Sequence, residues 1–210
     1  MTTTPTTAAT HVSIVAITST IARLLLGTVT DLLAPAAPSP GNQSLANSIS
    51  SLPPRDHRRL TISRIPFLLF TGVLLSLGSV ILASGVIQDH GERFWIVSSI
   101  LGSGYGALYS LTPLVITVIW GVENFGTNWG IVAMVPALGA TIWGVVYSAV
   151  YQWAANKHGR ESVKQDILCY GSDCYAATFW GMAVSVWIGC GFWLWAWKGR
   201  GGWSSRGIAV

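Results

Sequence analysis

The sequence contains few charged residues. Aspartate, glutamate, lysine and arginine make up 10% of its 210 residues, and the mean hydropathy is +0.52. Soluble domains carry about 25% charged residues, so this composition excludes an ordinary soluble domain. The net charge is only +4 and the basic residues form no single stripe, which argues against a nucleic-acid-binding protein.

Charge is absent from four long stretches of the chain. They lie between Arg64 and Asp89, Arg93 and Glu123, Glu123 and Lys157, and Asp173 and Lys198. Each is longer than the roughly 20 apolar residues that cross a bilayer. A fifth apolar stretch is interrupted only by Arg23 and Asp31. Because soluble helices keep a polar face, five such stretches predict an all-α membrane protein with five transmembrane helices.

These spans divide the chain into regions. A polar tail, 1–10, precedes span 1 and the segment that ends it, 11–33. The basic 34–64 loop, rich in Pro, Ser and Asn, is predicted to be disordered and cytosolic. Spans 2 to 5 occupy 65–197, and a basic tail occupies 198–210. The spans themselves are predicted at 11–30, 65–87, 94–120, 127–153 and 176–197.

Lysine and arginine counts predict the orientation of the chain. Seven of these residues fall on the side that receives the 34–64 loop and the C-terminal tail, and four fall on the other side. The first side is therefore predicted to be cytosolic, and the C-terminus with it. Tryptophans near the predicted span ends, Trp129 among them, are interpreted as aromatic belts at the membrane interfaces.

The chain offers little for catalysis or metal binding. Its four histidines are scattered, and no Cys/His cluster has metal-ligand spacing. Nearly all of its eight carboxylates lie in predicted loops or at span edges, and no nucleophile–base pair is recognisable. The sequence predicts no enzyme, no metal and no cofactor. A membrane-embedded enzyme is the weaker option, because no polar cluster lies at one depth.

Two of the three cysteines, Cys169 and Cys174, lie in "CYGSDC" on the predicted non-cytosolic side. A small ring around Gly171 is sterically plausible, and that compartment can be oxidising. We favour a disulfide over two free thiols. Cys190, within span 5, is interpreted as a packing residue.

Small residues and prolines mark the predicted spans. Gly102 with Gly106 in span 3 forms a small-xxx-small face that lets helices approach closely in lipid. Two further faces of this kind are predicted in spans 4 and 5: Ala140 with Gly144, and Gly181 with Ser185 and Gly189. Pro113 and Pro136 each remove a backbone hydrogen bond within a span.

Several stretches resemble a known transporter family. "RLLLGTVTD" resembles the loop signature of the major facilitator superfamily, Gly-x-x-x-Asp followed by basic residues. Gly27 and Asp31 match that signature, but Leu32 and Leu33 replace its basic cluster. The following stretches resemble the C-terminal half of fungal monocarboxylate-transporter homologues, which are related to the nodulin-like branch: "YGALYSLTPLVITVIWGVENFGTNWGI", "CYGSDCYAATFWGM" and "GRGGWSSRGI".

The resemblance implies a fold of twelve spans in two halves, in which the signature follows the second span of a half. Here it follows the first, so the five spans would form a partial C-terminal half of the bundle. The resemblance also implies transport of a small organic solute, a monocarboxylate-like anion, across the vacuolar membrane; the plasma membrane is the alternative.

Facilitator transporters bind solute between their two halves. A chain of five spans is therefore expected to be a truncated gene model, or to assemble in the lipid bilayer with a missing N-terminal half or partner subunit, and to be inactive alone. The alternative function is a five-span membrane scaffold or regulatory subunit without transport activity.

Few residues are candidates for transport or gating. Arg23 is a charge within a span and so is expected to pair with a carboxylate or an anionic solute; snorkelling to the interface is the alternative. Gly27 is expected to permit close helix approach, and Asp31 to contact neighbouring helices at the helix end. Weaker candidates lie in spans 3 and 4: Tyr105, Tyr109 and Asn128.

The orientation can be tested at Asn42, which begins Asn-Gln-Ser, an N-glycosylation acceptor pattern. Because the 34–64 loop is predicted to be cytosolic, we expect no glycan there. Endoglycosidase treatment of the chain expressed in eukaryotic membranes should leave its electrophoretic mobility unchanged. A mobility shift that Asn42→Gln abolishes would reverse the predicted orientation.

Overall fold

The computed structural model describes residues 4–33, 63–88, 90–159, 169 and 171–206, and all regular structure within these residues is helical. Five helices are each long and apolar enough to cross a membrane, which confirms the predicted all-α membrane class with five spans. In chain order they are α1 (Thr4–Leu33), α2 (Ile65–Ala83), α3 (Phe94–Trp120), α4 (Phe125–Gly159) and α5 (Ala176–Lys198).

Several helix ends differ from the ends of the predicted spans. Helix α1 begins at Thr4, within the predicted polar tail, because Pro5 is tolerated in a first helical turn. Helix α2 ends at Ala83 instead of continuing to 87, since Gly85 adopts a φ of +69° that ends a helix. Helix α4 continues past 153 to Gly159 because a polar sequence does not by itself end a helix.

Helices α1 and α3 run parallel with a constant register. His11 bonds to Ser98, and the Arg23 carbonyl oxygen to Ser110, each across a sequence separation of 87. Between these two contacts, a Cβ added at Gly102 or Gly106 would collide with the α1 backbone. The predicted close approach at these two glycines is confirmed, because only glycine lets the two backbones meet.

Helix α2 packs against both α3 and α5. Gly104 of α3 faces the Leu75 backbone, and Gly72 of α2 faces the Cys190 thiol of α5. A buried core joins α2 to α3, and Trp203, in the turn after α5, packs against it. The core residues are Ile65, Leu68, Leu111 and Val115.

Helix α4 is much less covered. None of the residues in its most apolar stretch is buried by the rest of the chain. The predicted small-residue contacts are wrong at Gly144 and Gly189, where an added Cβ would meet nothing within 4 Å, whereas Trp143 does pack on Gly181. The face left open carries a stripe of exposed apolar side chains: Ile131, Met134, Leu138, Ile142 and Val145.

Two ends of the bundle follow from the alternating helix directions. We call the end at which α2 begins the Arg64 end; α1, α3 and α5 finish there. We call the opposite end the disulfide end, where the structure joins Cys169 to Cys174 with their Cα atoms 6.0 Å apart. The predicted pairing of these two cysteines is thus the one that the structure contains.

The α1–α3 seam can be tested at Gly106. Gly106→Ala places a methyl group against the backbone of Ser19, so α1 must move away from α3. We expect the free energy of unfolding to fall by about 2 kcal/mol, the usual cost of overpacking. The measurement is the thermal unfolding midpoint of the purified chain in detergent.

Gly144→Ala is the matched control, because a Cβ at this position of α4 meets nothing within 4 Å. Alanine also has the higher helix propensity, so this variant should be neutral or slightly more stable. Equal unfolding midpoints for the two variants would contradict the proposed seam.

Candidate functional site

Arg23 lies on α1 beside an aromatic side chain of α3. Its Cζ atom is 5.7 Å from the centroid of the Tyr109 ring, within the range of a cation–π contact. The Ser110 hydroxyl donates to the backbone carbonyl of Arg23 at 3.4 Å. The constant register of α1 on α3 therefore places this guanidinium next to Tyr109.

Tyr105 and Tyr109 form a pair one helical turn apart. Their ring centroids are 4.6 Å apart, with the ring planes at 41°. Tyr105 is 43% exposed, and Arg23 is exposed as well. One face of the α1–α3 pair thus presents a guanidinium and two phenol groups together, all of which can donate hydrogen bonds.

Arg23 lies inside the apolar part of its helix. That part ends at Thr30, seven residues further on, or about 10 Å along the axis. The described side-chain contact of Arg23 is the one with the Tyr109 ring, and the Asp31 side chain on the same helix lies outside the described residues. A cation at this depth is costly unless an anion or water accompanies it.

An apolar cavity of about 220 Å³ lies next to Tyr109, between α3, α4 and α5. Trp129 and Trp193 provide its aromatic walls, and the Thr112 side chain is one of its few polar groups. The Thr112 hydroxyl donates to the Leu108 carbonyl at 2.7 Å, which leaves the cavity mainly apolar. Such a cavity suits the hydrocarbon part of a small organic molecule.

Two proline breaks coincide with this cavity. Proline has no backbone N–H, so Pro113 cannot donate to the carbonyl of Tyr109, and Pro136 cannot donate to that of Val132. Both Tyr109 and Val132 line the cavity, as does Pro136 itself. Interrupted helices are tolerated in membranes where they line a cavity, so the cavity accounts for the presence of both prolines within spans.

The remaining sequence candidates lie elsewhere. Gly27 faces the Ser110 hydroxyl at an ordinary contact distance of 3.5 Å from its would-be Cβ, so it contributes to the seam without requiring glycine. Asp31 lies in the last turn of α1, and its side chain is outside the described residues. The Asn128 side-chain amide donates to the Asn124 carbonyl at 2.9 Å within its own helix. The structure therefore brings Arg23, Tyr105 and Tyr109 together but not Asn128.

Sequence reasoning missed the aromatic walls of the cavity. From its position near a span end, Trp129 is interpreted as an interfacial belt residue, and no sequence pattern singles out Trp193. Both residues line the cavity beside Tyr109. The spacing of Pro113 and Pro136 relative to these tryptophans was the one sequence signal for a cavity here. It does not identify the lining residues, because tertiary packing determines which helix faces meet.

The fold and this site define a multi-pass integral membrane protein with a polar cluster at the α1–α3 seam. The chain is 60% identical over 208 residues to a Neurospora crassa protein named "Probable transporter mch1", covering 98% of this chain and 34% of that protein. A Gibberella zeae protein named "Probable transporter MCH1" is 54% identical over 210 residues, covering 98% of this chain and 36% of its own length.

The similarity extends to more distant relatives. A Yarrowia lipolytica protein named "Probable transporter MCH1" is 29% identical over 91% of this chain. The chain spans about a third of the length of these curated relatives. No protein-family model matches the chain, and no solved structure matches it. The names of these relatives describe them as probable transporters and specify no solute.

Proposed function

We propose that this chain is part of a major facilitator transporter that carries a small organic anion of the monocarboxylate type. The observation that carries the proposal is the position of Arg23, a cation inside an apolar helix, next to Tyr109 and the cavity beside it. The relatives named probable transporters support it, as does the resemblance of the "RLLLGTVTD" stretch to the facilitator signature.

The chemistry of the site suits such a solute. The Arg23 guanidinium offers paired N–H donors that match the two oxygens of a carboxylate. The hydroxyls of Tyr105 and Tyr109 supply further donors, and the cavity lined by Trp129 and Trp193 accepts a short hydrocarbon chain. An anion bound here would offset the cost of holding the arginine within the bilayer.

The described helices supply only one wall of a transport pathway. Apolar side chains are exposed along α1, among them Leu24 and Leu25, as well as along α4. We propose that further spans, from a longer polypeptide or a partner subunit, cover these faces, and that the chain alone transports nothing. The resemblance favours the vacuolar membrane as its location.

A chimera tests this function. The chain replaces the matching segment of the Neurospora crassa relative, and uptake of ¹⁴C-labelled pyruvate, lactate and acetate into proteoliposomes is compared with that of the parent relative. We expect the chimera to take up the same acids as its parent, and the isolated chain to take up none. In the chimera, Arg23→Gln should lower uptake about 10- to 100-fold, the usual value of a hydrogen bond to a charged group.

Arg93→Gln is the matched control, because it removes the same charge from an exposed position at the disulfide end. It should leave uptake within twofold or so of the chimera, as surface substitutions usually do. Unchanged uptake in Arg23→Gln would contradict the anion site, and a chimera that takes up none of the acids would favour the scaffold alternative for this chain. Uptake by the isolated chain would contradict its proposed dependence on further spans.

A further inference from the structure

Helix α4 is held to the rest of the chain mainly at its disulfide end. Ala154, 1% exposed, is the one buried side chain among those described in α4. Towards the other end, exposed residues such as Met134 and Leu138 show how little covers the helix. Ala154 therefore marks the end of α4 that is packed most closely against the rest of the chain.

The disulfide-closed loop contacts α4 one turn from Ala154. The backbone N–H of Cys169 donates to the Tyr151 hydroxyl of α4 at 3.2 Å. The short turn Ser172–Cys174 contacts both α4 and α5, and Cys174 is only 3% exposed. The small ring closed by the disulfide thus contacts both the end of α4 and the start of α5.

The same loop also contacts the link between α2 and α3. A Cβ built at Gly85 would lie 3.5 Å from the Ser172 side chain, and one built at Gly171 would lie 3.6 Å from Nε2 of Gln88. Beneath this contact lies a cavity of about 510 Å³ with aromatic walls, Tyr147 from α4 and Tyr175 from the loop. The loop therefore holds three parts of the bundle around one cavity.

We propose that the Cys169–Cys174 disulfide is a clasp that fixes the end of α4 and holds this cavity together, and that its reduction releases that end. In the oxidised state the ring restricts the loop, so that Cys169 stays within reach of Tyr151. A dithiol reductant supplies two electrons and two protons, converts the disulfide to two thiols, and itself becomes a disulfide. The loop then gains conformational freedom, the Cys169–Tyr151 hydrogen bond is lost, and α4 separates from α5 at this end.

Hydrogen–deuterium exchange of the full chain in lipid nanodiscs tests the clasp. We expect tris(2-carboxyethyl)phosphine or dithiothreitol to accelerate amide exchange in peptides covering 147–157 about tenfold, as the loss of a short disulfide loop implies. Peptides covering 125–135 should not change. Tyr151→Phe, which keeps the disulfide and removes the acceptor, should accelerate exchange at 147–157 about fivefold without reductant.

Cys190→Ser is the matched control, because Cys190 is the free cysteine of the described residues and lies in α5 away from the clasp. Its exchange should respond to reductant as the unmodified chain does. Equal exchange at 147–157 in the oxidised and reduced chain would overturn the proposal. So would equal acceleration at 125–135, which would mean that reduction loosens the whole of α4 and not its clasped end.

Discussion

The parallel contact of α1 with α3 is the interaction on which the candidate site depends. The backbones of Val15 and Ser19 lie directly against Gly102 and Gly106, and this contact sets the register. The same register brings Arg23 to Ser110 and so to Tyr109, which also lines the apolar cavity. In lipid there is little hydrophobic force between helices, so close packing of this kind is what holds such a pair together.

The five helices are buried by the rest of the chain to different extents, and the exposed helices carry candidate site residues. Helix α2 is covered by α3 and α5, whereas α1 and α4 leave long apolar faces open. A bilayer tolerates that arrangement, because each helix satisfies its own backbone hydrogen bonds. The open faces belong to the two helices that carry Arg23 and Trp129.

The five spans could be predicted because bilayer thickness acts on local hydropathy, and the bounds of α3 agree with the predicted 94–120. The start of α1 and the end of α4 could not be predicted in this way, because a polar sequence can remain helical outside the bilayer. Arg23 could be identified from the sequence because it is a charged residue within an apolar run. Its partner Tyr109 and the wall residue Trp129 depend on helix register and facing, which arise only from tertiary packing.

The central claim is that Arg23 faces a solute pathway and not lipid. Its most direct test is the reactivity of Arg23→Cys, compared with Leu25→Cys on another exposed face of α1, towards a charged methanethiosulfonate reagent. The chimera with the Neurospora crassa relative is used, with Cys190 and the other free cysteines replaced by serine. Labelling should be much faster at position 23 than at position 25, because the account places position 23 in a water-accessible pathway. Equal rates at the two positions would contradict the claim.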